Sequence, residues 1–156
     1  MMLMGEGEIM SCIDSFTGKY RFLSNFYLIS TIYEDIEYPS VEHAFQAAKT
    51  LNIPYRKQIF TSGRADRAKV LGHRLTLRDD WEQVKIQVMY DCVKSKFTFN
   101  QPMFDMLIAT GTAQLLEGNN WGDKFWGAVK LKGEWVGGNY LGKILMKVRK
   151  EIREYD

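Results

Sequence analysis

Cysteine and histidine are almost missing from this chain: Cys12, Cys92, His43 and His73 are the only ones. None of them share a metal-ligand spacing and no C-x-x-C pair exists. A zinc site and a disulfide scaffold are therefore excluded, and neither metal nor cofactor is expected. Proline is thin at three residues and nowhere joins Gly and Ser in a linker. One domain is expected over residues 14–156, behind a flexible leader over 1–13. Long apolar runs are also lacking, since none approaches the ~20 residues of a membrane span. The opening MMLMGEGEIM places acids where a signal peptide needs basic residues. These absences point to a cytoplasmic protein with reduced thiols and no membrane partner. An excess of one charge is missing too: Lys and Arg total 21 against 19 Asp and Glu, a net +2 with pI near 8.5. That balance is too mild to argue for a dedicated nucleic-acid binder and does not exclude one.

What the chain does have is aromatic mass, 13% of residues with four Trp, inside an ordinary hydrophobic fraction of 46%. This suits a packed core and equally a site that stacks a nucleobase. Basic residues gather at Arg56, Lys57, Arg64, Arg67, Lys69, Arg74 and Arg78 against the single acid Asp66. They read as a solvated helical face or as a phosphate-attracting rim.

The pattern of elements is mainly helical. Leu28 to Tyr33 and Ile36 to Tyr38 flank Glu34-Asp35 and predict a short hairpin. Ser40 predicts an N-cap for a helix with the apolar stripe Val41, Ala44, Phe45 and Ala48, ended by Asn52-Ile53-Pro54. Helices follow over Tyr55–Thr61 and over Arg64–Leu71, the latter closed by Gly72. Asp80 is expected to cap a longer one from Trp81 to Phe97. Met103–Ala109 continues in helix to Thr110-Gly111. Glu117 to Asn139, dense in Gly and Trp, predicts loop and short strand, and a helix covers about Tyr140 to Glu154. The fold class expected is mainly α, at the margin of α+β, with a small antiparallel β element.

Four constellations offer chemistry. Glu42 falls in the first turn of its helix, and Lys49 lies about two turns or ~10.5 Å further along the same face, with Gln46 between them. A dipole-matched acid and a solvated lysine would give the same spacing. Trp121-Gly122-Asp123-Lys124-Phe125-Trp126-Gly127 sets an acid between two Trp. It suits a ring-stacking pocket or a turn pinned to the core. Ser24 and Asn25, beside Phe26, suit contacts to a ribose or base edge, or the satisfaction of turn backbone. Asn139 suits the cap of the last helix, with N–H groups open to phosphate.

In this order the segments FLSNF (Phe22–Phe26), YPSVEHAFQAAK (Tyr38–Lys49), Trp81-Glu82, Trp121 to Asp123, and the ending Asn139, Leu141 to Lys143, Leu145-Met146 and Val148-Arg149 resemble the YbiA-like or NADAR family. The resemblance covers about Phe16 to Glu154. It implies a compact helical domain with a small antiparallel sheet, and hydrolysis of an N-glycosidic bond to a ribose. The substrate implied is a ribosylamino-pyrimidine phosphate of riboflavin biosynthesis or ADP-ribose on guanine in nucleic acid. Glu42, Trp81 and Asp123 match positions implicated in the family's site, and Lys49 matches a lysine proposed to act covalently. With these motifs Ser24, Asn25, Phe26, His43, Trp121, Gly122, Trp126, Asn139 and Gly142 are expected to contact substrate. The Gly-rich insert Lys130 to Gly138 departs from the shorter form of the ADP-ribosyl branch. A non-catalytic reader of ADP-ribose or a nucleotide is the rival from another class. It would need the aromatics but neither Glu42 nor Lys49.

Overall fold

The computed structural model describes residues 2–4 and 8–155, with side chains from residue 11 onward. The chain forms two compact units: Asn25–Gln101, and the residues through Ser24 together with those from Pro102 on. The fold is α+β and mainly helical.

The 25–101 unit begins with a hairpin, β4 (Thr31–Tyr33) against β5 (Ile36–Tyr38), preceded in the chain by β1 to β3 described below. Its two-residue turn is the expected Glu34-Asp35, with φ of 47° and 66°. Positive φ at both positions gives a type I′ turn, whose twist matches the strands. Helix α1 (Val41–Ala47) starts from Ser40, whose hydroxyl accepts the His43 N–H. It is shorter than expected, since Ala48 is its C-cap. All of Val41–Ala48 is buried, because α1 packs on α2 (Ile53–Phe60), α3 (Ala65–His73), α4 (Trp81–Thr98) and β4. A separate solvated polar stripe on this helix is thus corrected.

One expected helix end is also corrected: Gly72 lies inside α3, and Arg74 is the C-cap. Asp80 is the N-cap of α4, at the expected position, but makes no side-chain cap bond. Its carboxylate is instead held by Arg78 at 2.6 and 3.0 Å, since a bidentate guanidinium is the stronger partner.

In the other unit β1 (Met2–Met4) pairs with β2 (Glu8–Met10), and β3 (Cys12–Ile13) runs parallel to β6 (Gln114–Leu115). The leader expected over 1–13 lies partly outside the described residues; its end, Ile13, is buried in β3. A short 3-10 helix covers Gly18–Leu23 and α5 covers Gln101–Ala109. β8 (Ala128–Leu131) pairs parallel with β7 (Gly118–Asn119) and antiparallel with β9 (Glu134–Val136). The expected antiparallel element is the β4–β5 hairpin, and two further pairings, β3–β6 and β7–β8, are parallel. Helix α6 (Tyr140–Arg153) packs on β6 and buries Leu141, Ile144, Leu145, Val148 and Ile152.

Candidate active site

The first turn of α1 is fixed from both sides of its chain. The Glu42 N–H donates to the Asn25 carbonyl at 3.0 Å. The Asn25 amide, buried, donates to Met89 Sδ at 3.5 Å. This holds the Ser-Asn-Phe segment's Asn25 and Phe26 beside the helix start. The Glu42 side chain is only 7% exposed, and its Oε1 accepts from Gln46 Nε2 at 2.7 Å. A carboxylate so placed needs donors, and the i,i+4 amide supplies one.

Lys49 stands just past the helix, its N–H on the Gln46 carbonyl at 3.2 Å. Burial pushes its ammonium below the usual lysine range; Glu42 opposes that push and Lys69 adds to it. His73 is lowered by burial first, then by Lys49 and Lys69. Glu42, Lys49, Lys69 and His73 thus form one electrostatic cluster from α1 and α3. Lys49 Nζ lies 5.7 Å over the Phe45 ring, and Lys69 Nζ 5.8 Å over Phe26.

Other expected contacts in this unit are placed differently. Trp81 is 5% exposed with its ring 5.2 Å from Phe45, which is core packing rather than an open stacking face. His43 is fully buried, its Nδ1 2.7 Å from Ser40 Oγ, and burial lowers its basicity. Its Nδ1 serves the helix start, and its buried Nε2 has no hydrogen-bond partner among the described residues. In the basic stretch, Arg56 is joined to Glu34, Arg64 to Asp66 and Arg78 to Asp80. Lys69 is the member that joins the cluster.

The other unit carries the Trp-rich loop. Asn119 organises it: Nδ2 donates to the carbonyls of Asp123 at 2.9 Å and Ala128 at 3.2 Å, and Oδ1 accepts the Asp123 N–H at 3.0 Å. Asp123 Oδ1 accepts the N–H groups of Phe125 and Trp126 at 3.0 and 2.9 Å. One expected catalytic carboxylate oxygen is therefore occupied in shaping the loop. The result is a cavity of about 770 Å³ lined by Asp14, Ser24, Glu117, Trp121, Gly122 and Trp135, among others. Ser24, Trp121 and Gly122 are brought together here, and Trp121 is 64% exposed. Trp126 instead packs edge-on to Phe125, which stacks on Tyr140.

Three N–H groups at the start of α6 are already engaged. Those of Asn139, Tyr140 and Leu141 donate to the carbonyls of Gly127, Phe125 and Trp126. The Asn139 side chain makes no cap bond; at φ 51° it donates to Leu115 O at 3.0 Å and accepts the Glu117 N–H at 2.9 Å. Gly142 has no room for a side chain, because a Cβ there would stand 2.1 Å from the Leu115 carbonyl. Asn139 and Gly142 thus both help to hold the start of α6 against residues 115–117.

Residues 14–153 match the NADAR domain. The chain belongs to the NADAR family. It is 37% identical to N-glycosidase Npun_R5314 of Nostoc punctiforme over 86% of both chains. It is 33% identical to N-glycosidase YbiA of Escherichia coli, over 88% of this chain and 85% of that one. The solved structure of E. coli YbiA matches with TM-score 0.80 and 31% identity, covering 95% of this chain and 89% of that chain. A riboflavin biosynthesis protein of Vibrio vulnificus is 35% identical, and one of Zea mays likewise. The chain spans 37% and 20% of the length of those two. Among the described residues no helix is long and apolar enough to cross a membrane, and no group of three His, Cys, Asp or Glu is placed to hold a metal.

Within this NADAR chain the reading of residue types missed Gln46 as a partner of Glu42, and Lys69 and His73 as neighbours of Lys49. The i,i+4 spacing of Glu42 and Gln46 was the available signal. Lys69 was legible only as one member of the basic stretch and His73 carried no signal, because only the α1–α3 packing brings them near.

Proposed function

We propose that this chain hydrolyses the N-glycosidic bond between a ribose and a heterocyclic or pyrimidine-type base, in a nucleotide-like substrate. The observation that carries the reading is the buried Glu42 carboxylate at the head of α1, held by Gln46 and neighboured by Lys49. The names of relatives similar over most of their length agree with it. Breaking a ribosyl C–N bond develops positive charge on the sugar, which a fixed carboxylate stabilises, or it activates the attacking water. Glu42 takes that role. Lys69 adds positive charge near Lys49 that suits a substrate phosphate. Within its own unit, Asp123 holds the loop that presents Trp121, an exposed ring of the kind that stacks a base.

A ribosylamino-pyrimidine phosphate is the substrate class favoured, in keeping with the riboflavin naming of two relatives. ADP-ribosylated guanine is the second. Incubating the purified protein with each substrate and following free base and free sugar tests both. Release from the pyrimidine substrate is expected; tight binding with no turnover of either would replace the enzyme by a nucleotide reader.

Lys49 defines the variant route. Its lowered pKa raises the share of neutral amine. That amine can attack the anomeric carbon as the base leaves with a proton, giving an imine with the opened sugar that water then hydrolyses. Borohydride added during turnover would reduce the imine to a stable adduct. An adduct that vanishes in Lys49→Ala supports this route, and no adduct leaves direct hydrolysis at Glu42.

A further inference from the structure

Glu42 is held by a side chain that has itself given up a hydrogen bond. A carboxylate only accepts, so Gln46 must turn its NH2 toward Glu42 Oε1, and the bond at 2.7 Å shows it does. The Gln46 carbonyl oxygen then points away, into the interior, where it finds no donor. Leaving a buried amide oxygen unsatisfied is unfavourable, and the charge-assisted bond to Glu42 offsets it.

Where that oxygen lies explains a second oddity. Gly72 sits inside α3, at a position where glycine weakens a helix relative to alanine. A Cβ on Gly72 would stand 1.9 Å from Gln46 Oε1, 2.6 Å from its Cδ and 2.9 Å from its Cβ. The amide end could swing aside, but the contact with the Gln46 Cβ could not be relieved that way. Gln46 is 3% exposed and has little space to move into.

We infer that Gln46 is the positioning residue for the Glu42 carboxylate, and that residue 72 is glycine because the Gln46 amide fills the space of its side chain. This rests on the reading of Glu42 as the reacting carboxylate. Gln46 fixes the rotation of the carboxylate and favours its charged form. The charged and titratable groups around it are Lys49 at the end of α1, Lys69 on α3, which acts on Lys49, His73 on α3, on which Lys49 and Lys69 act, and buried Cys92 on α4, on which Glu42 acts.

The test uses Gln46→Leu, which keeps bulk and removes the donor, together with Gly72→Ala, Gln46→Ala and the double variant Gln46→Ala/Gly72→Ala. With a ribosylamino-pyrimidine phosphate as probe, Gln46→Leu is expected to lower kcat about tenfold or more with KM within about twofold. The acid limb of its rate–pH profile moves up by roughly half a pH unit or more. Gly72→Ala does the same, and the double variant is no worse than Gln46→Ala alone. Carbon-13 NMR of the labelled Glu42 carboxyl follows its titration without any turnover, and the midpoint is expected to rise in Gln46→Leu. An unmoved midpoint with wild-type kcat would overturn the inference, and losses that multiply in the double variant would overturn the role of Gly72. Should Glu42→Gln prove fully active, the catalytic reading fails on its own, and the NMR midpoint still decides the arrangement.

Discussion

Glu42 and Lys96 show the two uses of a buried ionisable side chain. Glu42 has its amide donor and a lysine nearby, and its exchange for glutamine preserves shape while removing charge. Glu42→Gln is expected to lose at least about a hundredfold in turnover, the scale of a removed charge stabiliser, with an unchanged melting temperature; near-normal turnover would remove Glu42 from the mechanism. Lys96 is 1% exposed, and burial pushes its pKa down to about 7. Its Nζ lies 5.7 Å over Tyr27 and 5.0 Å over Phe97. The unfolded chain holds a proton up to the ordinary lysine range, whereas the folded one loses it from about 7. Stability contributed by this site therefore rises from pH 7 toward 10 and is lost as pH falls through 7. Lys96→Met should raise the melting temperature at pH 6 and flatten that rise, by thermal denaturation across pH. An equal melting temperature at pH 6 would contradict this.

At the scale of elements, the α6 start is a mutual lock with carbonyls 124–127, and Asn139 ties it to residues 115 and 117. Asn139→Ala strands a part-buried N–H and a buried carbonyl and places alanine at positive φ. A loss of about 2–4 kcal/mol is expected in chemical denaturation, from unsatisfied groups at ~1–3 kcal/mol each; a change under about 1 kcal/mol would show that water replaces the amide. Some elements were legible before the structure. Glu34-Asp35 between two β-branched and aromatic runs read as a hairpin, and Ser40 read as a cap, because turn chemistry and capping are local. What was not legible depended on neighbours. Gly72 read as a helix end because periodicity cannot see Gln46 from another helix. Asn139 read as a cap because its left-handed backbone, which sends the side chain to β6 and its neighbour, has no signature in residue type. α1 read as amphipathic because burial by α2, α3 and α4 on all sides is invisible from its own sequence. Glu42 was found through family resemblance, whereas the cavity beside Trp121 needed residues from Asp14 to Trp135 that no motif connects.

For the molecule as a whole, titration sets a lopsided stability profile. His43 is buried neutral and Glu34 is held low first by its Arg56 hydrogen bond. Both contribute stability above their ordinary values that is lost as pH falls through the folded ones. Lys96 adds a loss as pH falls from the ordinary lysine range to about 7. Above pH 9 the sign reverses, since burial raises Cys92, Tyr33 and Tyr38 and the unfolded chain releases protons the folded one keeps. The melting temperature is expected to peak between about pH 7 and 9; a peak near pH 5 would show that the acid-side groups are not buried as described.

The pairing of β3 with β6 has a consequence in time. Cys12 lies opposite Gln114, and Ile13 opposite Leu115. During synthesis from the N-terminus, the first of these strands is made early and must wait for its partner while the whole of 25–101 emerges. The elements α1 to α4 meet neighbours close in sequence, whereas β3 must close a loop of about a hundred residues, the kind of contact that forms late. A nascent chain released just after α4 would carry Glu42, Gln46 and Lys49 complete, with Ile13 still waiting for the strand that covers it.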